Sequence, residues 1–149
     1  MILSAIILVT VVFMEFVAWF MHKYVMHGFG WILHRDHHRK EHPNSFFERN
    51  DVFFIFFAAL SIIAYLIWSF TSSQLALGIG IGISIYGATY FFIHDLFIHQ
   101  RIKVLTHTQN KYFLGIRRAH KMHHKHIGKH KGECFGMLWV PLKYFKNKK

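Results

Sequence analysis

Two stretches of this chain are rich in apolar residues and free of lysine and arginine. Met1 to Phe20 carries a single charge, Glu15, and residues 52–93 carry none. A helix crosses the hydrocarbon core of a bilayer with about 20 apolar residues, so the first stretch is one span and the second is long enough for two. The polar tetrad Thr71-Ser72-Ser73-Gln74 divides the second into Val52–Phe70 and Leu75–Ile93. The pattern predicts three transmembrane helices, the last two joined as a tight hairpin, with 21–51 and 94–149 outside the hydrocarbon. A secretory leader is the competing reading of residues 1–20. It lacks a basic n-region and an Ala-x-Ala-like cleavage site, and it runs straight into His22, so a retained helix is expected.

Local signals fill in the plan. Asn50 or Asp51 is placed to cap the second span, and Ser72 or Ser73 the third. Pro43 and Asn44 break the segment after the first span into a helical part and a loop. Gly78 and Gly82 form a GxxxG pair, read as a close helix-packing face. A Gly-x-Gly inside an apolar span is no phosphate loop. The Phe-rich start of the second span (Phe53, Phe54, Phe56, Phe57) reads as lipid-facing or core packing rather than as a substrate groove. The expected class is all-α, with 149 residues in a single domain and helices that run beyond the bilayer.

Charge sets the orientation. Of the 18 Lys and Arg residues, five lie in 21–51 and thirteen in 101–149. Positive residues stay on the cytoplasmic side, which puts both polar segments there, with the N-terminus and the 71–74 turn outside. The net charge of +11 comes almost wholly from residues 94–149. Such a face suits anionic lipid headgroups or an acidic protein. No nucleic-acid-binding motif accompanies the charge, so nucleic acid is not the expected partner. The single cysteine, Cys134, excludes an internal disulfide and fits a reducing compartment.

The chemistry lies in the histidines. Ten of the 14 fall into two copies of one composite pattern: His22 and His27 followed by His34, His37 and His38, then His94 and His99 followed by His120, His123 and His124. Each copy reads HxxxxH, then HxxHH. On a helix, residues three and four apart share a face, so three imidazoles of each HxxHH converge. HxxxxH is less simple, because five residues leave the rings roughly 140° apart on an ideal α-helix. Those pairs need a π-bulge or frayed turn to meet at one ion, or else they contact two neighbouring ions.

Imidazole is the commonest protein ligand for transition metals. Structural zinc takes four ligands, which would leave most of this set unexplained; two iron ions with positions open to oxygen fit better. His42, His107, His126 and His130 lie outside the repeat and are read as solvated or structural. Among the carboxylates, Asp95 lies one helical turn from His99 and is placed to take its ring N–H. Glu15 lies seven residues before His22 on the same face, deep enough to need a partner.

At these residues the chain resembles the bacterial β-carotene hydroxylases, within the fatty acid hydroxylase superfamily of integral-membrane di-iron enzymes. The matching stretches are His22-Lys-Tyr-Val-Met-His27-Gly-Phe-Gly-Trp, His34-x-x-His37-His38, Phe47-Glu48-x-Asn50-Asp51, His94-Asp95-x-x-x-His99-Gln100-Arg101, Ala119-His120-x-x-His123-His124 and Phe135-Gly136-x-Leu138. They run in family order from about residue 14 to 141. The histidine boxes indicate the superfamily; the neighbourhoods around Tyr24-Val-Met-His-Gly, Glu48-x-Asn50-Asp51 and His94-Asp95 point to the carotenoid branch. The resemblance implies two non-haem irons, molecular oxygen (O2), a ferredoxin-type electron donor and hydroxylation of β-ionone rings at carbon 3, in a bacterial inner membrane. It also makes Glu48, Asn50 and Asp51, with Asp95 and Glu15, candidate supports of the metal ligands. Arg35-Asp36 and the Lys- and His-rich segment after His124 depart from the family pattern. The rival readings are a related di-iron hydroxylase, desaturase or ketolase acting on another lipid, and a membrane metal-binding or transport protein.

Overall fold

The computed structural model describes residues 1–39, 45–103, 106–128 and 132–146, and its described regular elements are all helical. The expected break at Pro43 and Asn44, and His42 and His130, lie outside the described residues. Helix α1 (Ile2–Phe20) continues into a π-helical segment, Met21–Phe29, and then into α2 (Trp31–Arg39). Helix α3 (Asp51–Thr71) turns back into α4 (Gln74–Tyr90), which continues as a second π-helical segment, Phe91–Ile98. Helix α5 (Lys111–Lys125) and a 3₁₀ turn (Leu142–Phe145) complete the set.

Three helices are long and apolar enough to cross a membrane: Ile2–Phe29, Asp51–Thr71 and Gln74–Ile98. The first and third outrun the predicted spans because each continues as a π-helix carrying histidines. Helix α4 sits in the middle. Both α1 and α3 pack along it and scarcely touch one another. A third of the most apolar window of α4 is buried, 33% against 6% for α1 and 11% for α3; the outward rows of α1 and α3, such as Val9, Phe13, Phe16, Ile62 and Leu66, face the surroundings.

Glycines explain how α4 takes both neighbours. A methyl group at Gly78 would meet Ile6, and one at Gly82 would meet Thr10 at 2.5 Å, so the GxxxG face is the α1 contact. A methyl at Gly80 would meet the Tyr65 ring of α3. On that side Ser61 donates to the Gly80 carbonyl at 2.8 Å, and Ser84 hydrogen-bonds both Ser61 and Tyr65. Hydroxyls in hydrocarbon need such partners. At the hairpin, Ser72 takes a left-handed conformation (φ 55°) and the Ser73 hydroxyl accepts the Ala76 N–H, making Ser73 the cap.

The histidine-bearing end is closed by α5 and the strap that follows it. Gly115, Ile116, Ala119, His120 and His123 form the buried stripe of α5, while Lys111, Arg118, Lys121 and Lys125 are exposed. Ile116 and Phe97 are essentially fully buried, each contributing roughly 1.5–3 kcal/mol. The Phe145 ring lies where a side chain at Gly115 would be. The strap is tied down by Glu15: one carboxylate oxygen accepts the backbone N–H groups of Met137, Leu138 and Trp139 at 2.9–3.0 Å, and the other accepts the Tyr86 hydroxyl at 2.7 Å. The core below it comprises Met14, Tyr86, Ile93, Ile116, Ala119, Met137, Val140 and Tyr144.

Candidate metal centre

Each HxxxxH motif occupies a π-helical segment, Met21–Phe29 and Phe91–Ile98. In a π-helix the backbone bonds run from i to i+5, and two are plain here: Gly30 N–H to the Val25 carbonyl at 2.8 Å, and His99 N–H to the His94 carbonyl at 2.9 Å. That winding brings residues five apart onto one face, so the 140° mismatch of an α-helix disappears. The ring centroids of His22 and His27 are 5.1 Å apart, and those of His94 and His99 4.6 Å.

The ten repeated histidines gather into two adjoining clusters, and the copies exchange one residue. Ring nitrogens of His22, His27, His34, His38 and His123 lie within 4.8 Å of one another, as do those of His37, His94, His99 and His120. His124 joins the second group, its Nε2 2.8 Å from Nε2 of His120, as His38 Nε2 stands 3.1 Å from that of His34. Under the repeat His37 corresponds to His123, and each lies in the other copy's cluster. The middle histidine of HxxHH thus crosses over while its neighbours stay. His38 and His124 stack at the junction, 4.2 Å apart. His107 is exposed, and His126 Nδ1 reaches the Met122 carbonyl of its own helix.

The outward nitrogens settle the tautomers. His22 Nδ1 donates to the Phe135 carbonyl (2.9 Å), His27 to Ile127 (2.7 Å) and His123 to Glu133 (3.1 Å). His34 Nδ1 donates to Asn50 Oδ1 (2.6 Å) and His37 Nδ1 to Glu48 Oε2 (2.7 Å). His94 Nδ1 lies 3.3 Å from Asp95 Oδ1. A neutral imidazole that donates from Nδ1 presents a lone pair at Nε2. Nε2 of His22 then faces that of His34, and Nε2 of His27 that of His123, each at 3.1 Å with no proton between them. His37 Nε2 is fully buried and has no hydrogen-bond partner among the described residues. Burial, reinforced by neighbouring imidazoles, lowers His34 and His123 to about 3 and depresses His37, His38 and His120. Converging neutral lone pairs are a donor set for metal ions.

The two clusters differ in what stands behind them. The first is backed by neutral acceptors: three backbone carbonyls and the Asn50 amide. The second is backed by the carboxylates of Glu48 and Asp95, gathered by Arg101. Its guanidinium lies 2.6 Å from Asp51 Oδ1, 3.3 Å from Glu48 and 3.3 Å from Asp95. Burial raises the Glu48 pKa, opposed by Arg101.

Of the residues expected as supports, Glu48, Asn50 and Asp95 lie against the histidines and Asp51 pairs with Arg101. Asp95 stands against its neighbour His94, the partner that helical spacing did not single out. Glu15 holds the strap and reaches His22 only through Phe135. Asn50 occupies the N-cap position of α3 but spends its side chain on His34. Arg101 went unassigned although its motif was visible. The Ile127, Glu133 and Phe135 carbonyls had no side-chain signal to find. Asp36, a departure from the family pattern, is buried and accepts the Arg49 N–H at 2.6 Å.

A cavity reaches the clusters at His22, His94 and His120. Phe53, Phe54 and Phe57 form part of its wall. The run is lipid-facing and core-packing as expected, with Phe54 and Phe56 exposed and Phe57 against the core, and three of its four rings also line the cavity. Only Phe56 of the four lies outside the lining, at 51% exposure.

The chain matches the fatty acid hydroxylase family over residues 7–142. It belongs to that family. It is 40% identical to a β-carotene hydroxylase of Pantoea ananas, over 93% of this chain and 77% of the other, and 34% identical to one of Paracoccus sp. (strain PC1), over 91% and 83%. A chloroplastic β-carotene hydroxylase 1 of Capsicum annuum is 35% identical, with 86% of this chain matching 40% of the plant protein. No solved structure matches the chain. The chain is thus a hydroxylase with two histidine clusters beside helices long and apolar enough to cross a membrane, and both clusters sit at one end of those helices, which disfavours a metal-conducting path.

Proposed function

We propose that this protein is a non-haem di-iron β-carotene 3-hydroxylase, converting β-carotene to zeaxanthin through β-cryptoxanthin. The observation that carries the reading is the pair of interlocked, all-imidazole clusters opening onto an apolar cavity, in a chain similar to β-carotene hydroxylases along nearly its whole length. His22, His27, His34, His38 and His123 would hold one iron; His37, His94, His99, His120 and His124 the other. When bound, the irons supply the oxidising power that an unactivated ring C–H bond requires and that no acid–base side chain can provide, with O2 as oxidant.

The chain's own residues do the rest. Hydrogen bonds that Asn50, Glu48 and Asp95 accept from the outer ring nitrogens fix the tautomers and orientations. Phe135, Met137 and the strap close the cavity over the histidines and keep water out. Exposed Lys111, Arg118, Lys121 and Lys125 of α5 offer a docking face for an acidic ferredoxin-type donor. The charge distribution supports an orientation with this end on the cytoplasmic side of a bacterial inner membrane.

Expression in a β-carotene-accumulating bacterial host tests the reaction. Zeaxanthin with a β-cryptoxanthin intermediate, carrying oxygen from labelled O2, is expected. A ketone or a new double bond as the main product would overturn the assignment. His37→Ala and His123→Ala should each abolish turnover and lower iron content while the protein still inserts; an active enzyme with at most one iron per chain refutes the di-iron assignment.

A further inference from the structure

The cavity described above has a direction. Its polar lining is concentrated at one end, where His22, Asn50, Asp51, His94, Asp95 and His120 meet; the remainder is Met, Phe, Ile, Ala, Gly and the rings of tyrosines. Tyr86 turns its hydroxyl away to Glu15 and offers the cavity its ring. Tyr90 stacks on His94 at 4.6 Å. A ligand seated here places hydrocarbon along the walls and its reacting end at the histidines.

The walls also say where the ligand comes from. One wall is α1 (Met14, Ala18), the opposite wall is α3 (Phe54, Phe57), and the floor is α4 (Ile83, Gly87). Since α1 and α3 both pack on α4 and scarcely on each other, a groove runs between them along α4, within segments long and apolar enough to lie in the bilayer. Strap residues Phe135, Gly136 and Met137 cover the histidine end, so the apolar way in is sideways, from the lipid.

Width is set by small residues. Ala18 lies four residues before His22, and Gly87 seven before His94, about 6 and 10 Å along the helix axes. A methyl at Gly87 would meet only Phe54, at 3.8 Å, an ordinary contact. Alanine therefore fits there, whereas a larger side chain must project into the groove.

We propose that the groove between α1 and α3 is a lateral port through which one apolar end ring of a bilayer-dissolved polyene reaches the histidine clusters, and that Gly87 sets its bore. The identity of the polyene rests on the function proposed above; the port itself rests on the geometry. A ring with methyl substituents is broader than a straight acyl chain, and two small residues on two walls give it room. The ring enters head first, with the rest of the chain trailing past Gly87 and Phe54 into the lipid.

The test uses the whole iron-loaded protein in lipid nanodiscs with β-carotene. Gly87→Phe should reduce both β-carotene retention and hydroxylation at least tenfold with iron per chain unchanged. Ala88→Phe, on the exposed side of the same helix, should stay within twofold of the parent. In case Gly87→Phe fails to fold, Gly87→Cys is alkylated by a lipid-soluble maleimide, with Cys134 counted separately by peptide mass. Saturating β-carotene should slow that reaction at least fivefold, and should not slow it at Ala88→Cys. Unchanged retention in an iron-replete Gly87→Phe, or equal alkylation with and without β-carotene, overturns the port. Protection at Gly87→Cys in a parent enzyme that makes no hydroxycarotenoid would sink the proposed reaction and leave the port standing; turnover without protection does the reverse.

Discussion

At the residue scale the telling contrast is between the two shells. Carboxylate-backed imidazoles are the better electron donors, and loss of such a partner typically costs 10–100-fold in metal affinity. Glu48→Gln retains an acceptor for His37 Nδ1–H but removes the charge, and its iron affinity should fall roughly 10-fold or more, read by competition with a chelator; unchanged affinity would show that Glu48 only orients the ring. A second prediction concerns acid. His34 and His123 are lowered to about 3 in the folded protein, against about 6.5 for an exposed histidine. Below that value an unfolded chain binds protons that the folded one refuses, so stability is full above about pH 6.5 and is lost as pH falls toward 3, by about 1.4 kcal/mol per unit for each such histidine. Thermal unfolding of the metal-free protein in detergent should therefore show a midpoint that drops from pH 6.5 to 4. His123→Gln should flatten that slope, and an unaltered slope would contradict the burial argument.

Among the elements, α4 organises the rest, because its glycines let helices approach on two sides. Gly82→Leu forces a branched side chain against Thr10, where even a methyl would stand at 2.5 Å. Overpacking of this kind costs about 1–3 kcal/mol, and a lowered melting temperature with looser α1 packing is expected. Gly87→Ala on the same helix serves as the comparison and should melt like the parent, since that position has room. The π-helical segments are the second organising feature. They convert a five-residue spacing into a shared face, and both occur where an apolar span hands over to histidines. Periodicity showed that HxxxxH could not meet on an ideal α-helix; it did not say which remedy the backbone adopts. The i to i+5 bonds at Gly30 and His99 answer that.

For the whole molecule, charge and membrane act together. Thirteen of the 18 basic residues follow residue 100, and exposed Lys121 and Lys125 lie on the α5 face turned away from the clusters. Charge attraction to a donor is screened within about 8 Å at physiological salt. Reversing both lysines to glutamate should lower the ferredoxin-driven rate and its salt dependence, leaving turnover with a small chemical reductant unchanged. Orientation has its own measurement: a cysteine at Ser73 should react with a membrane-impermeant reagent in intact cells, and one at Lys125 should not. The opposite pattern would invert the topology.

What the linear chain determined is whatever depends on composition and short spacing. Three spans follow from apolar length, the convergent faces of HxxHH from helical periodicity, and the candidate ligands from residue type repeated in order. These signals are local, so one strand of text carries them. The crossing of His37 and His123 between clusters is different, because it depends on how α2 and α5 approach, and the repeat alone would have kept each copy's histidines together. The same holds for Arg101 gathering Glu48, Asp51 and Asp95 from distant segments. It holds for the backbone carbonyls of the strap, which every residue type possesses and which only folding aims. The cavity was hidden for a related reason: phenylalanines facing lipid and phenylalanines facing a cavity read identically, and the gap between α1 and α3 exists only once both helices have packed on α4.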